Sequence, residues 1–322
     1  MGAEGVEAFR LSLRQRRCPV CGSEDDSQER FAARSAGMLR RASYASRKEP
    51  ERMNLRLVMC PACDLLYAPA VPVHAFLASA YAEASYDSDT EARCAAASYA
   101  AAIAARLPRL SSHRSALEIG AGNGALLEHL QALGFDEVLG FEPSAAAAQA
   151  ATPALRPRIR VAPFDPHALP ADLPRDHFSL VIANQTLEHV EEPLALLEAA
   201  HALLAPGGAM LVVSHDYRHW LSRLLGARSP IIDIEHLQVF SRASLQRALA
   251  RAAFEEIEID AFANCYPLHY WVRLAPLPTA LKRPLHAWLR GHADSTAAGA
   301  RLGRRMLRAR VGNLIAWARR PL

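Results

Sequence analysis

The sequence predicts an α/β fold built on a largely parallel sheet, preceded by a small cysteine-rich module. Two observations carry this expectation. From Ser115 onward, short apolar strands alternate with helical segments, the order in which a parallel sheet is covered on both faces. Ahead of that stretch, four of the six cysteines fall into two pairs, Cys18/Cys21 and Cys60/Cys63. A chain of 322 residues has room for one large domain and a small appendage.

The bulk properties are those of a globular protein, with 51% hydrophobic and 22% charged residues. No apolar run approaches the ~20 residues needed to cross a membrane. Residues 1–17 lack the compact apolar core and cleavage site of a signal peptide, so a cytoplasmic location is the default expectation. The formal charge of +4 hides an asymmetry. Residues 273–322 carry 11 Lys/Arg against one acid, Asp294, so the remainder has 37 − 11 = 26 basic against 33 − 1 = 32 acidic residues. Such a basic segment on an acidic body marks either an anionic partner or a solvated helix face.

The cysteine pairs are near-copies, Cys18-Pro-Val-Cys21-Gly and Cys60-Pro-Ala-Cys63-Asp. Each turns the chain tightly so that both sulfurs face one point. Two such knuckles supply the four soft ligands of a tetrahedral Zn²⁺, and without a secretion signal CxxC reads as metal before disulfide. A filled ligand set leaves no open position, so this zinc is expected to be structural. Residues 53–59 (MNLRLVM) look like the strand leading into the second knuckle. The aromatic and acidic stretch through Tyr81 and Tyr86, and then an Ala-rich helix over about 90–107, read as a linker folding over the next domain.

In that domain, residues 116–119 (ALEI) form a first strand that runs into Gly120-Ala-Gly122-Asn-Gly124 and a helix over 125–133. Glycines here let the backbone pass close to a nucleotide-like ligand. A second strand, 138–141, ends at Glu142, placed to accept both ribose hydroxyls. The glycines alone also fit a dinucleotide fingerprint, but Glu118 would repel a pyrophosphate. It suits the cationic ammonium and sulfonium of S-adenosylmethionine (SAM). A third strand, 159–163, ends near Phe164, placed to cover an adenine ring, and Asp165, placed to take its amino group. A fourth, 178–183, ends in Asn184, and Leu187-Glu-His-Val190 opens the next helix. A fifth strand is 209–214. A helix capped by Ser241, a sixth strand over 254–260 and a seventh over 313–319 complete the sheet.

The segments LEIGAGNG, FEPS, FSLVIANQTLEHV and LLAPGGAMLVV, over residues 115–263, resemble the ordered motifs of class I SAM-dependent methyltransferases. With the CPxC module ahead and Glu235-His236-Leu-x-x-Phe-Ser241 behind, the chain is similar to bacterial sugar and natural-product methyltransferases that carry an N-terminal zinc-binding domain. The resemblance implies a Rossmann-like seven-stranded domain with SAM contacted at Glu118, Gly120, Gly122, Glu142, Asp165 and Asn184. The expected organisation is a zinc module over 1–70 and a helical linker or cap over 71–110. A methyltransferase domain follows over 111–322, with a basic helical insertion over about 264–311.

Methyl transfer is a direct displacement helped by alignment and exclusion of water, with a base where the acceptor carries a proton. Position beyond strands four and five brings forward His215, His236 and His189, with Asp216 and Tyr217 beside the first; histidine is the natural base near neutral pH. The expected activity is O- or C-methylation of a small molecule, a sugar nucleotide or a biosynthetic intermediate, possessing an anionic group if the basic insertion contacts it. The alternatives are an RNA methyltransferase and a non-catalytic zinc- and SAM-binding scaffold. Glu24, Asp25, Asp26 and Glu29 in the module disfavour nucleic acid as a partner.

Overall fold

The computed structural model describes residues 9–34, 41–45, 51–110, 112–291 and 298–322; residues 1–8 of the leader reading, and Asp294, lie outside these. The N-terminal part contributes five short strands, β1 (Leu13–Gln15), β2 (Glu29–Phe31), β3 (Leu57–Met59), β4 (Leu66–Tyr67) and β5 (Ala70–Pro72). The strand expected at 53–59 is shorter because Asn54 interrupts it. Its side-chain amide donates to the carbonyls of Ala32 and Leu55, and its backbone makes only an isolated bridge to Arg34.

Two helices follow, α1 (His74–Ala82) and α2 (Asp89–Ala104). The second is not a cap over the next domain but one of its layers. Ala92, Ala95, Ala96, Tyr99, Ala100 and Ile103 recur at three- and four-residue steps and are all buried, the stripe of a core-facing helix. Tyr99 stacks on Phe262 at 5.5 Å between ring centroids.

The large domain then runs β6 (Ser115–Ile119), α3 (Ala125–Ala132), β7 (Glu137–Phe141), α4 (Ala145–Gln149), β8 (Ile159–Arg160), β9 (Phe178–Asn184), α5 (Pro193–Leu203) and β10 (Leu204–His215). It continues through α6 (Trp220–Leu225), β11 (Gln238–Val239), α7 (Arg242–Arg251), β12 (Glu255–Pro267), α8 (Leu268–Leu274), α9 (Thr279–Arg290), α10 (Ala298–Gly303) and β13 (Met306–Arg319). Seven strands form the main sheet in the order β12-β13-β10-β9-β6-β7-β8. All neighbours from β10 to β8 pair in parallel, while β13 runs antiparallel to both β10 and β12. Along β9, Leu180 and Ile182 face one hydrophobic layer, Val181 and Ala183 the other, as the two-residue period of a strand buried on both faces requires.

Three expectations from the sequence are corrected. Residues 187–190 form a turn, and the helix begins only at Pro193, a position where proline's missing N–H costs nothing. The third strand stops at Arg160 because the Ala162 N–H turns back to the Arg160 carbonyl. The helical insertion spans α8 to α10 rather than 264–311. Phe262, Asn264 and Tyr266 alternate as buried residues with Ala263 and Cys265, so β12 continues to Pro267 and pairs with β13 from Met306 onward.

The N-terminal module is not self-contained. Its four-stranded sheet, β11-β4-β3-β2, takes its edge strand from β11, with Gln238 opposite Tyr67 and Val239 opposite Leu66. Arg16 locks the same junction. Its guanidinium donates to the carbonyls of Ala68 (2.9 Å), Glu191 (2.6 Å) and Leu237 (2.8 Å) and to Gln238 Oε1 (2.8 Å). Burial pulls its pKa down to about 10 against the nearby Glu191. Replacing Arg16 strands those acceptors. Arg16→Met is expected to lower the unfolding free energy in urea by about 3 kcal/mol. Arg16→Lys should recover little of this loss, because an ammonium lacks the planar fork; full recovery would show that charge alone matters.

Candidate active site

A cavity of about 980 Å³ opens beyond the C-terminal ends of β6, β7, β9 and β10, where open α/β sheets bind ligands. All seven residues assigned to SAM by sequence line it: Glu118, Gly120, Gly122, Glu142, Phe164, Asp165 and Asn184. Gly120 has φ +84°, and a Cβ there would lie 2.6 Å from Thr186 Oγ1. The Thr186 hydroxyl in turn donates to the Ile119 carbonyl at 2.9 Å, which ties the ends of β6 and β9 together. Gly122 has φ +56° and open space beside it, so the backbone is bare on the cavity side.

Glu142 is held rather than loose. Its Oε2 accepts the Gly122 N–H at 2.7 Å and its Oε1 the Ser144 N–H at 2.8 Å. Each carboxylate oxygen keeps lone-pair capacity for a hydroxyl. Glu118 is buried in β6, an acid fixed in the wall with no Lys or Arg in the glycine loop to neutralise it. Phe164 sits edge-on to Phe141 at 5.4 Å, and Asp165 Oδ1 accepts the His167 N–H at 2.9 Å. Both polar ends of the Asn184 carboxamide are shielded from water without a hydrogen-bond partner among the described residues. A polar ligand supplies what such an amide lacks, so the donor set fits SAM.

The three candidate histidines converge on one wall of this cavity. The ring of His236 lies 4.8 Å from that of His189 and 5.2 Å from that of His215, centroid to centroid. His236 Nδ1 is 2.9 Å from the Ile231 carbonyl, which can only accept, so Nδ1 carries a proton. His215 Nδ1 faces Asn313 Oδ1 at 2.9 Å. Burial, with His236 adjacent, pulls the His215 pKa down to about 3, so it is a neutral imidazole at physiological pH. His189 Nδ1 shares a 2.9 Å bond with the Tyr81 hydroxyl; it sits in the turn after β9 rather than capping a helix. Asp216 and Tyr217 do not line the cavity. The Tyr217 hydroxyl instead donates to Asp64 Oδ1 at 2.7 Å in the module.

Apart from Tyr81, whose segment the sequence predicts to fold over this domain, several residues of the site gave no signal in the sequence. Tyr44 comes from the module, Tyr81 from α1, and Tyr266, Tyr270 and Trp271 from β12 and α8, and all face the cavity. Asn313 lines it from β13, and was legible only as the start of a strand.

The four cysteines lie beside this assembly. Their sulfurs are all within 4.8 Å of one another, with Cys18 to Cys63 at 3.5 Å and Cys21 to Cys60 at 3.4 Å. That spacing suits four thiolates around one ion. The Cys18 thiol is held low, at about 5, by Cys63 first and then by the N–H groups of Cys21 and Val20. Cys18, Cys60 and Cys63 belong to the same buried cluster as Phe240 and Leu245 of the large domain.

Glu188 underpins His215. Its Oε1 accepts the His215 backbone N–H at 2.6 Å, and burial pushes the carboxyl up to about 7 from 4.5. Between those values the folded state binds more protons than the unfolded one, so this group costs stability as pH rises from 4.5 to 7 and the full cost is present above 7. Glu188→Gln removes the titration. Its unfolding free energy relative to wild type should therefore rise by about 3 kcal/mol between pH 4.5 and pH 8. A pH-independent difference in urea titrations would refute the assignment.

Comparison with known proteins agrees with this geometry. Residues 88–259 match the family model described as a methyltransferase domain. Curated relatives include the ubiquinone biosynthesis O-methyltransferases of Rhodopseudomonas palustris (strain HaA2), 35% identical over 115 residues, and of Bradyrhizobium sp. (strain ORS 278), 36% identical over 106 residues. Each match covers 33% of this chain and 41% of the relative, less than half its length. Among solved structures, a SAM-dependent methyltransferase of Thermotoga maritima is similar at 20% identity and a TM-score of 0.44, over 71% of this chain and 90% of that one. One from Archaeoglobus fulgidus is similar at 17% identity and a TM-score of 0.45, over 77% and 100%. The family match spans more than half of the chain and contains the glycine loop, Glu118, Glu142 and the end of β9: the chain belongs to the methyltransferase-domain family, that of SAM-dependent methyltransferases.

Proposed function

We propose that this protein transfers a methyl group from SAM to a hydroxyl oxygen of a small, uncharged aromatic or apolar acceptor. The observation that carries this reading is the cavity wall. Tyr81, Tyr266, Tyr270, Trp271 and the three histidines line it, whereas among the described residues Arg14 is its sole Lys or Arg. Arg14 is itself paired with Glu191 and Glu192. A diphosphate-bearing acceptor would need cationic partners, so the sugar-nucleotide option and an anionic acceptor are disfavoured. RNA is disfavoured on the same ground, since Asp165, Asp233 and Glu235 also line the cavity. The printed name of the curated relatives, O-methyltransferase, points the same way.

When bound, SAM supplies an electrophilic methyl on a sulfonium. Glu118 faces its cationic end, Glu142 accepts the ribose hydroxyls, Asp165 and Phe164 hold the adenine, and Asn184 bonds the polar remainder. His215 or His236 would take the acceptor proton, and the aromatic wall would keep water out. A carbon acid would use the same base. The cysteines hold a structural zinc that fixes the module against α7 and β11.

Calorimetry with S-adenosylhomocysteine should detect binding, weakened roughly tenfold to a hundredfold in Glu118→Ala. Among His189→Gln, His215→Gln and His236→Gln, loss of the base should lower kcat by about 10² to 10⁴ at unchanged S-adenosylhomocysteine affinity. If all three stay near wild type, the base is elsewhere. Metal analysis should find one zinc per chain, lost together with solubility in Cys18→Ser/Cys60→Ser. A metal-free but stable protein would remove zinc from the account.

A further inference from the structure

The insertion between β12 and β13 has a helix face that the described residues leave largely open. On α9, Leu281, Leu285 and Trp288 recur at steps of four and three and form one stripe. They are 64%, 38% and 54% exposed, while Leu289 is the helix's one buried residue. Arg283 and Arg290 lie on the opposite side of the helix and are exposed, as are Arg301 and Arg305. The helix is braced, since a Cβ on Gly299 of α10 would come within 2.5 Å of the Trp288 ring.

A second exposed pair flanks the cavity. On α6, Leu221 and Leu225 line it, while the neighbouring Trp220 and Leu224 are 66% and 73% exposed. On the other side, Trp271, Leu274, Ala275 and Pro276 line it and lead directly into α9. Thus α6 both walls the cavity and carries uncovered apolar side chains, and α9 follows directly on the cavity-lining segment that ends at Pro276.

We propose that this face docks the protein on an anionic lipid bilayer, with α9 lying in the interface and α6 beside it. An apolar stripe with Trp and Leu opposite a Lys/Arg face is the pattern of an interfacial helix. Among the described residues no helix is long and apolar enough to cross a membrane, so α9 lies on the surface. Charge decides between a membrane and a second copy. Arg283, Arg290, Arg301 and Arg305 are exposed on α9, α10 and the turn after it, with no acid among the described residues of 273–322, so two copies of this region would oppose like charges, whereas an anionic surface complements them. Entry of an acceptor from the bilayer rests on the apolar acceptor reading above, whereas docking itself does not.

The test is flotation of the full-length chain with vesicles of phosphatidylcholine alone or of equal parts phosphatidylcholine and phosphatidylglycerol. Binding is expected at least tenfold tighter to the anionic vesicles, weakened by salt, with a blue shift of tryptophan fluorescence. Leu281→Ser/Leu285→Ser/Trp288→Ser should lower partition at least tenfold, and Arg283→Gln/Arg290→Gln about fivefold per arginine. Both variants should keep the S-adenosylhomocysteine affinity and zinc content of the wild type, which separates a lost surface from a lost fold. Equal binding to both vesicle types, no binding to either, or unchanged partition of the triple variant would overturn the proposal. So would a wild-type dimer that becomes monomeric in the triple variant, because a second copy would then cover the face.

Discussion

A single guanidinium holds the two halves of this molecule in register. Arg16 reaches from the module into the gap between the turn after β9 and the segment that supplies β11, and bonds both along with its own strand connection. Enclosing a cation is unfavourable unless its donors are satisfied, and here each hydrogen bond ends on a carbonyl of a different segment or on Gln238. Gln238 extends the clamp, since its Nε2 donates to the carbonyls of Leu187 and Val190. The turn that carries Glu188 and His189 is thus fixed from the module side. Positions of the catalytic candidates follow from that constraint, and not from the sheet alone.

The cavity wall shows how burial sets chemistry in opposite directions for acids and bases. Burial pushes the carboxyl of Glu188 up and the imidazole of His215 down, so both tend to the neutral form. A neutral imidazole with Nδ1 held by a hydrogen bond presents Nε2 as an acceptor, the state a proton-abstracting group needs before reaction. Glu142, at the end of β7, accepts the backbone N–H groups of Gly122 and Ser144.

Much of the sheet was legible because its strands are short apolar runs separated by glycine and proline signals; β6, β7, β9 and β10 lie within a few residues of their expected places. Glu118, Gly120 and Glu142 were legible because spacing along one β-α-β unit fixes them in space. The aromatic wall was not. Tyr44 and the Tyr266–Trp271 segment reach the cavity from opposite ends of the sequence, and no local periodicity records which distant strand ends they meet; Tyr81 alone lies in a stretch that the sequence predicts to fold over the domain. Arg16 was silent for the same reason, being one arginine among neighbours in Arg14-Gln-Arg16-Arg17. The histidines were found as three alternatives, and the structure brings all three to one wall. The end of β12 was missed although its alternation, Phe262, Asn264, Tyr266, is plain, because the helices that follow obscured where the strand pattern stops.

The shared strand β11 has a consequence for how the chain is made. The cysteine knuckles leave the ribosome first, yet the β4 edge they stand on is closed only by Gln238 and Val239, which are synthesised long after. Until then the module carries an open strand edge, the feature most prone to pairing with other chains, and a contact that spans most of the sequence is slow to form. Biogenesis of this protein is therefore a matter of protecting an early, unfinished sheet until its last strand arrives.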